Sequence, residues 1–151
     1  MSKPEVQEVE LIDPINVVGK HFKGDYAKSF EYITEVQNDL KNEGVGFIPN
    51  KVFGIYYDNP QDTKPEELRS FQAVFPENGF DETASSLTLI ELTGKFLYTK
   101  VKGEPMKALM EGYGALFTYI QNQAVALKSN AGYQVSTFEN GEMTTEIYME
   151  I

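Results

Sequence analysis

The sequence predicts an α+β fold made of two pseudo-symmetric β-α-β-β repeats with antiparallel sheets. Three observations support this prediction. Apolar residues alternate with period 2 on both sides of a polar connector between Phe53 and Phe75, which is typical of two strands joined by a loop. At two places, a glycine followed by an acidic residue comes directly before a segment whose apolar residues have helical spacing. The order of these elements then recurs along the chain.

The first half contains one helix between strands. Asp13-Pro14 interrupts the first extended segment because proline cannot donate to a strand ladder. Lys23-Gly24-Asp25 turns the chain into the helix, and Gly44 ends it. The helical face is expected to carry Tyr26, Phe30, Ile33 and Leu40, and the strands are expected at Val6–Ile12, Ile15–Phe22, Phe53–Tyr57 and Ser70–Phe75.

The second half repeats this order after a polar linker, Pro76–Ser86. Asn140-Gly141 has the composition of a tight hairpin turn. The helix is expected to bury Leu109, Tyr113, Leu116, Phe117 and Ile120, and the strands are expected at Leu87–Leu92, Lys95–Lys102, Tyr133–Phe138 and Thr144–Ile151. The chain is thus predicted to form a single domain, with repeat one at about residues 5–76, the linker at 76–86 and repeat two at 87–151.

Two nine-residue segments support a duplication. Phe22–Phe30, FKGDYAKSF, matches Val101–Leu109, VKGEPMKAL, at an offset of 79 residues. Lysine, glycine, acid, lysine and a large apolar residue coincide. Helix starts favour a glycine and a carboxylate in any protein, but the matching order of the flanking elements favours a true repeat.

Composition excludes several classes of function. The chain has no cysteine and one histidine. This composition predicts that there is no disulfide, no thiolate nucleophile and no metal site. A net charge of −10 argues against direct nucleic-acid binding and favours a cationic ligand or a basic protein partner. No apolar run reaches membrane-spanning length and no signal segment is evident, so a cytoplasmic location without membrane binding is expected. No motif calls for a cofactor.

Four segments together resemble a known family. They are Lys23-Gly24-Asp25-Tyr26, Phe53–Pro60, Pro65–Ser70 and Thr145-Glu146-Ile147-Tyr148. In these the chain resembles GyrI-like small-molecule-binding domains, which also form the effector-binding half of AraC-type and MerR-type multidrug regulators. The resemblance covers the chain from about Val6 onward.

The resemblance implies helices on one side of the sheets and a ligand groove between the repeats. It also implies bulky, often cationic lipophilic ligands and an acidic groove residue, at the position of Glu146. Two departures affect the groove: Pro105 stands where the second repeat often has a tyrosine, and Glu150 replaces a frequent proline. The second hairpin also lacks the long connector of the first.

The last strand allows an independent argument from the residues. Alternation places Ile147, Met149 and Ile151 on one face and puts Glu146 and Tyr148 on the other. A carboxylate beside an aromatic ring attracts a desolvated cation, although a solvated acidic strand face would have the same pattern. Further candidates for the groove or for the core are Tyr56 and Tyr113.

Two other side chains carry weaker hypotheses. Arg69, the only arginine, could position Glu146 or form a structural ion pair elsewhere. His21 has no serine or cysteine partner motif, so a structural role is expected for it.

Three functions remain open at this stage. The first is non-catalytic binding or sensing of hydrophobic, cationic small molecules, with any regulatory output through a separate partner because no DNA-binding segment precedes Val6. The second is a hydrolase of cyclopropane-containing or other reactive natural products that uses Glu146 as general base. The third is an acidic protein inhibitor of DNA gyrase.

Overall fold

The computed structural model describes residues 4–151, and its elements follow the order β-α-β-β twice. Three short 3₁₀ turns lie in the connections. The predicted α+β class and element order are confirmed, whereas the pseudo-symmetry of the two halves stays a prediction. The helices and strands are β1 Gln7–Lys23, α1 Ser29–Asn42, β2 Phe47–Tyr56, β3 Arg69–Pro76, β4 Thr88–Lys102, α2 Pro105–Gln123, β5 Gly132–Glu139 and β6 Glu142–Glu150.

All six strands form one closed antiparallel barrel in the order β1-β3-β2-β5-β6-β4. The halves meet along two seams. At one seam Val17 of β1 pairs with Ile90 of β4, and at the other Phe53 of β2 pairs with Val135 of β5. The strands of both halves therefore share a single sheet.

The long strands β1 and β4 continue through their predicted breaks. Their pairing register shifts between Leu11 and Ile15, around Asp13-Pro14. Such a bulge accommodates the proline, which lacks a ladder donor. On β4, Gly94 pairs with Leu11 and has a φ of 107°, which a residue with a side chain rarely adopts. The breaks seen in the sequence are thus irregularities within strands.

The acids of the two matched segments cap different elements: Asp25 caps the 3₁₀ turn Tyr26–Lys28 that precedes α1, and Glu104 caps α2. The Asp25 carboxylate accepts from the backbone N–H of Ala27 at 3.0 Å. The Glu104 carboxylate accepts from the N–H groups of Met106 and Lys107 at 3.1 and 2.9 Å, and Pro105 occupies the first turn. Each carboxylate satisfies donors that have no partner within the helix.

Both helices pack on the outer face of the barrel. The buried side of α1 consists of Ile33, Val36 and Leu40, which pack with Val18 and Val74. The buried side of α2 consists of Ala108, Gly112 and Leu116, and it faces Leu97, Ile147 and Met149. No helix within the described residues is both long and apolar enough to cross a membrane.

Two aromatic residues assigned to the buried helix faces are exposed. Phe30 is 62% exposed and lies in the first turn of α1, with its ring 6.1 Å from the ring of Phe138. Phe117 is 49% exposed because the stripe facing the sheet runs through small residues and Leu116. Position 117 is rotated about 100° from that stripe.

Candidate functional site

Aromatic rings from three neighbouring strands meet inside the barrel. The pairing register places Tyr148 of β6 between Tyr98 of β4 and Tyr133 of β5. The ring centroids of Tyr98 and Tyr148 are 5.0 Å apart. The Phe96 ring lies 5.8 Å from Tyr148 and 5.7 Å from Tyr133, both edge to face. These four rings form one apolar surface that carries three phenol groups.

Glu146 is the carboxylate beside these rings. The Tyr98 hydroxyl donates to its Oε2 atom at 2.8 Å. Burial raises the pKa of Tyr98, and the Glu146 carboxylate adds to the shift. Burial and the same carboxylate raise the pKa of Tyr148 to about 12. Both phenols therefore stay protonated at neutral pH, and Tyr98 holds the half-buried carboxylate in place.

The last strand presents the two faces that its alternation predicts. Ile147 and Met149 are buried under α2, and Ile151 packs against the same cluster. Tyr148 belongs to the interior cluster, and Glu146 bonds to Tyr98 on that side. The predicted placement of Glu146 and Tyr148 on one side of the sheet is thus confirmed, whereas their role in binding stays a prediction.

Tyr56 and Tyr113 lie on the opposite, helix-bearing face of the sheet. The Tyr56 ring packs edge to face on Tyr26 at 4.9 Å because Tyr56 alternates with the interior residue Ile55. The Tyr113 hydroxyl accepts from Nε2 of Gln134 at 2.7 Å. The expectation that these tyrosines share one groove with Glu146 is therefore corrected: a groove containing Glu146 lies across the sheet from both of them.

Arg69 forms an ion pair with Asp58 and not with Glu146. Its Nε and Nη2 atoms donate to the two oxygens of Asp58 at 3.0 and 2.8 Å, and its backbone N–H donates to Oδ2 at 2.8 Å. The Tyr26 hydroxyl accepts from the N–H of Asp58 at 3.0 Å and lies 2.9 Å from the carbonyl oxygen of Arg69. The Asp58–Arg69 and Tyr26 contacts thus join the ends of β2 and β3, and Arg69 has a structural role.

A prediction about acid stability follows from this ion pair. The Arg69 guanidinium lowers the pKa of Asp58 below its ordinary value of 3.8. The stabilisation is therefore present above the unfolded-state pKa and is lost as pH falls through the folded-state pKa. We expect Asp58→Asn to lower the urea midpoint at about pH 7, with a smaller difference at about pH 2.5. Asp62→Asn, in the same connector, is the control and should leave both midpoints unchanged. Equal losses at both pH values would contradict the prediction.

The sequence interpretation missed Phe96, Tyr98 and Tyr133. The alternation of the predicted strand Lys95–Lys102 already places Phe96 and Tyr98 on one face and Leu97 on the other. What the alternation does not contain is the pairing that brings this face beside β6.

Within the described residues, no group of three or more histidine or acidic side chains is arranged to hold a metal ion.

The fold and the comparison of sequences identify the class of protein. The model of the GyrI-like small molecule binding domain matches residues 5–151, so the chain belongs to this family of small-molecule-binding domains. The family prediction from the sequence is confirmed. No curated protein matches the chain significantly.

Solved structures share the fold. The C-terminal domain of EcmrR has a TM-score of 0.67 and 16% identity, with 98% of this chain and 96% of that domain covered. In the EcmrR–DNA complex the TM-score is 0.65 at 16% identity, and the match covers 99% of this chain but only 58% of the EcmrR chain. SAV2435 bound to tetraphenylphosphonium has a TM-score of 0.53 and 15% identity, with 98% and 93% covered. At these identities the likeness shows the fold alone.

Proposed function

We propose that the chain binds lipophilic cations inside the barrel, with Glu146 as their counter-charge. The observation that carries the proposal is the half-buried Glu146 carboxylate, held by the Tyr98 hydroxyl at 2.8 Å beside the Tyr148 ring. The pairing of β4, β5 and β6 positions the carboxylate and the rings on rigid strands.

The physical reason is a match between the site and a delocalised cation. Such a cation loses little hydration energy when it leaves water, and a carboxylate in a partly dry environment attracts it more strongly than one in bulk solvent. The faces of Tyr98 and Tyr148 add cation–π terms of about 0.5–2 kcal/mol. The related fold of SAV2435 has been determined with tetraphenylphosphonium bound, which supports this ligand class for the present chain.

Calorimetric titration with tetraphenylphosphonium tests the proposal. Triphenylphosphine oxide, a neutral ligand with similar aryl groups, is the comparison. We expect the cation to bind at least about tenfold more tightly, which corresponds to about 1.4 kcal/mol. Equal affinity for the two ligands, or no binding of the cation, would overturn the proposal.

A second candidate, a small-molecule hydrolase, is favoured by the same hydrogen bond. Glu146 could act as a general base on water, and Tyr98 is a phenol within reach of it. Burial raises the pKa of Tyr98, however, and an acid with a raised pKa transfers a proton less readily at neutral pH. The binding function therefore has the stronger support. Multiple turnovers of a cyclopropane-containing substrate that stop in Glu146→Gln would establish the hydrolase instead.

A further inference from the structure

A basic cavity of about 430 Å³ lies at the end of the barrel where β1 pairs with β3. Two of its residues, Lys23 and Arg69, are basic and His21 adds an imidazole, in a chain whose net charge is −10. These side chains produce a local electrostatic potential that is opposite in sign to that of the acidic protein as a whole. The cavity therefore favours an anionic group. The cavity is lined by His21, Phe22, Lys23, Tyr57, Arg69 and Ser70.

The basic side chains of this cavity keep donors available. Arg69 uses its Nε and Nη2 atoms on Asp58, and its side chain remains 65% exposed, with its guanidinium carbon 5.9 Å from the centre of the Tyr57 ring. Lys23 and His21 are exposed. Within residues 4–151, no acidic side chain lies close enough to Lys23 or His21 to form an ion pair with it.

Aromatic rings connect this cavity to the Glu146 site. The His21 ring stacks on Tyr57 with 6.2 Å between centroids, and Tyr57 packs against the interior cluster that contains Tyr148. Tyr133 packs against the same interior cluster and pairs across the strands with Ile55, two residues before Tyr57. From Tyr133 the series continues through Phe96 to Tyr148.

We propose that the preferred ligand is amphoteric, with its cation at Glu146 and an anionic group such as a carboxylate in the cavity of His21, Lys23 and Arg69. This inference rests on the proposed function and specifies its ligand class. Across β5 and β2, the strand pairing puts Glu146 level with Ala73 of β3, four residues from Arg69. Three strand steps of about 4.8 Å and four residues of about 3.4 Å along the strand together make roughly 20 Å along the sheet. The aryl or alkyl body of the ligand lies along the rings between the two charges.

Two matched phosphonium ligands test the inference. One is ω-carboxypentadecyl-triphenylphosphonium, whose extended spacer has a comparable length, and the other is its primary carboxamide, which keeps the cation and loses the anion. We expect the acid to bind about fivefold more tightly than the amide. The negative field of the protein acts against this order, so the preference requires a local basic site.

The variant Lys23→Gln locates the effect. We expect it to reduce the preference for the acid by about half or more while leaving the affinity for the amide unchanged. Lys102→Gln is the matched control, because Lys102 is also an exposed lysine at the end of a long strand and its loss changes the net charge equally. It should keep the preference.

The outcomes separate the two proposals. If the amide itself fails to bind, the proposed function is wrong. If the amide binds and the acid binds no more tightly, only the amphoteric ligand class is overturned. An equal loss of preference in Lys23→Gln and Lys102→Gln would likewise overturn it, because the effect would then come from net charge and not from this cavity.

Discussion

Replacing Glu146 with glutamine is expected to weaken tetraphenylphosphonium binding by about 1–3 kcal/mol, or about five- to 150-fold in Kd. Glutamine keeps the size of the side chain and can still accept the hydrogen bond from Tyr98. It removes the negative charge beside the rings of Tyr98 and Tyr148. The barrel should remain folded because Ile147 and Met149, which pack under α2, are unchanged. Isothermal titration calorimetry measures the difference.

Two controls isolate the charge of Glu146. Triphenylphosphine oxide should bind the variant and the unmodified protein with nearly equal affinity, because it carries no net charge. Glu142→Gln removes the same charge from the exposed start of β6, where Glu142 pairs with Lys102 at 3.1 Å. It should leave cation binding unchanged. Equal losses for the cation and the neutral ligand would show that Glu146 only shapes the site, and no loss for either would place ligand binding elsewhere.

Patterns of neighbouring residues in the sequence were sufficient to predict the helices and strands and to place Glu146 and Tyr148 on one face of the last strand. In β6, apolar residues at 147 and 149 alternate with Glu146 and Tyr148. Both faces of β6 are buried around Tyr148, but alternation alone separates the aliphatic residues from Glu146 and Tyr148. The caps at Asp25 and Glu104 are equally local, since each carboxylate bonds to N–H groups two or three residues further on.

Long-range pairing was not predictable from the same patterns. Alternation shows which residues share a face but does not show which strand lies beside that face. Tyr98 reaches Glu146 only because β4 pairs with β6. Tyr56 was misplaced for a related reason: its strand is buried on both faces, from Val52 to Ile55, so its sequence does not distinguish the interior from the helix side. Closure of the barrel through two seams likewise depends on contacts between the halves.

Gly19→Ala is expected to destabilise the fold by about 3 kcal/mol, at the upper end of the usual cost of overpacking. Gly19 is buried where β1 pairs with both Ala73 of β3 and Thr88 of β4. A Cβ atom there would lie 1.9 Å from the carbonyl oxygen of Gln72 and 2.7 Å from the Cα and Cβ atoms of Ala73. The nearest of these atoms belong to the backbone of a neighbouring strand, so rotating a side chain cannot relieve the clash.

Urea denaturation with Gly114→Ala as the matched control tests this expectation. Gly114 lies in α2, is exposed and has no atom within 4 Å of an added Cβ. Alanine should therefore stabilise the protein there by about 0.5–1 kcal/mol, because it lowers the conformational entropy of the unfolded chain and favours the helix. The same substitution thus has opposite signs at the two glycines. A Gly19→Ala variant as stable as the unmodified protein would mean that β1 and β3 can separate without loss, and the close approach of these strands would not limit stability.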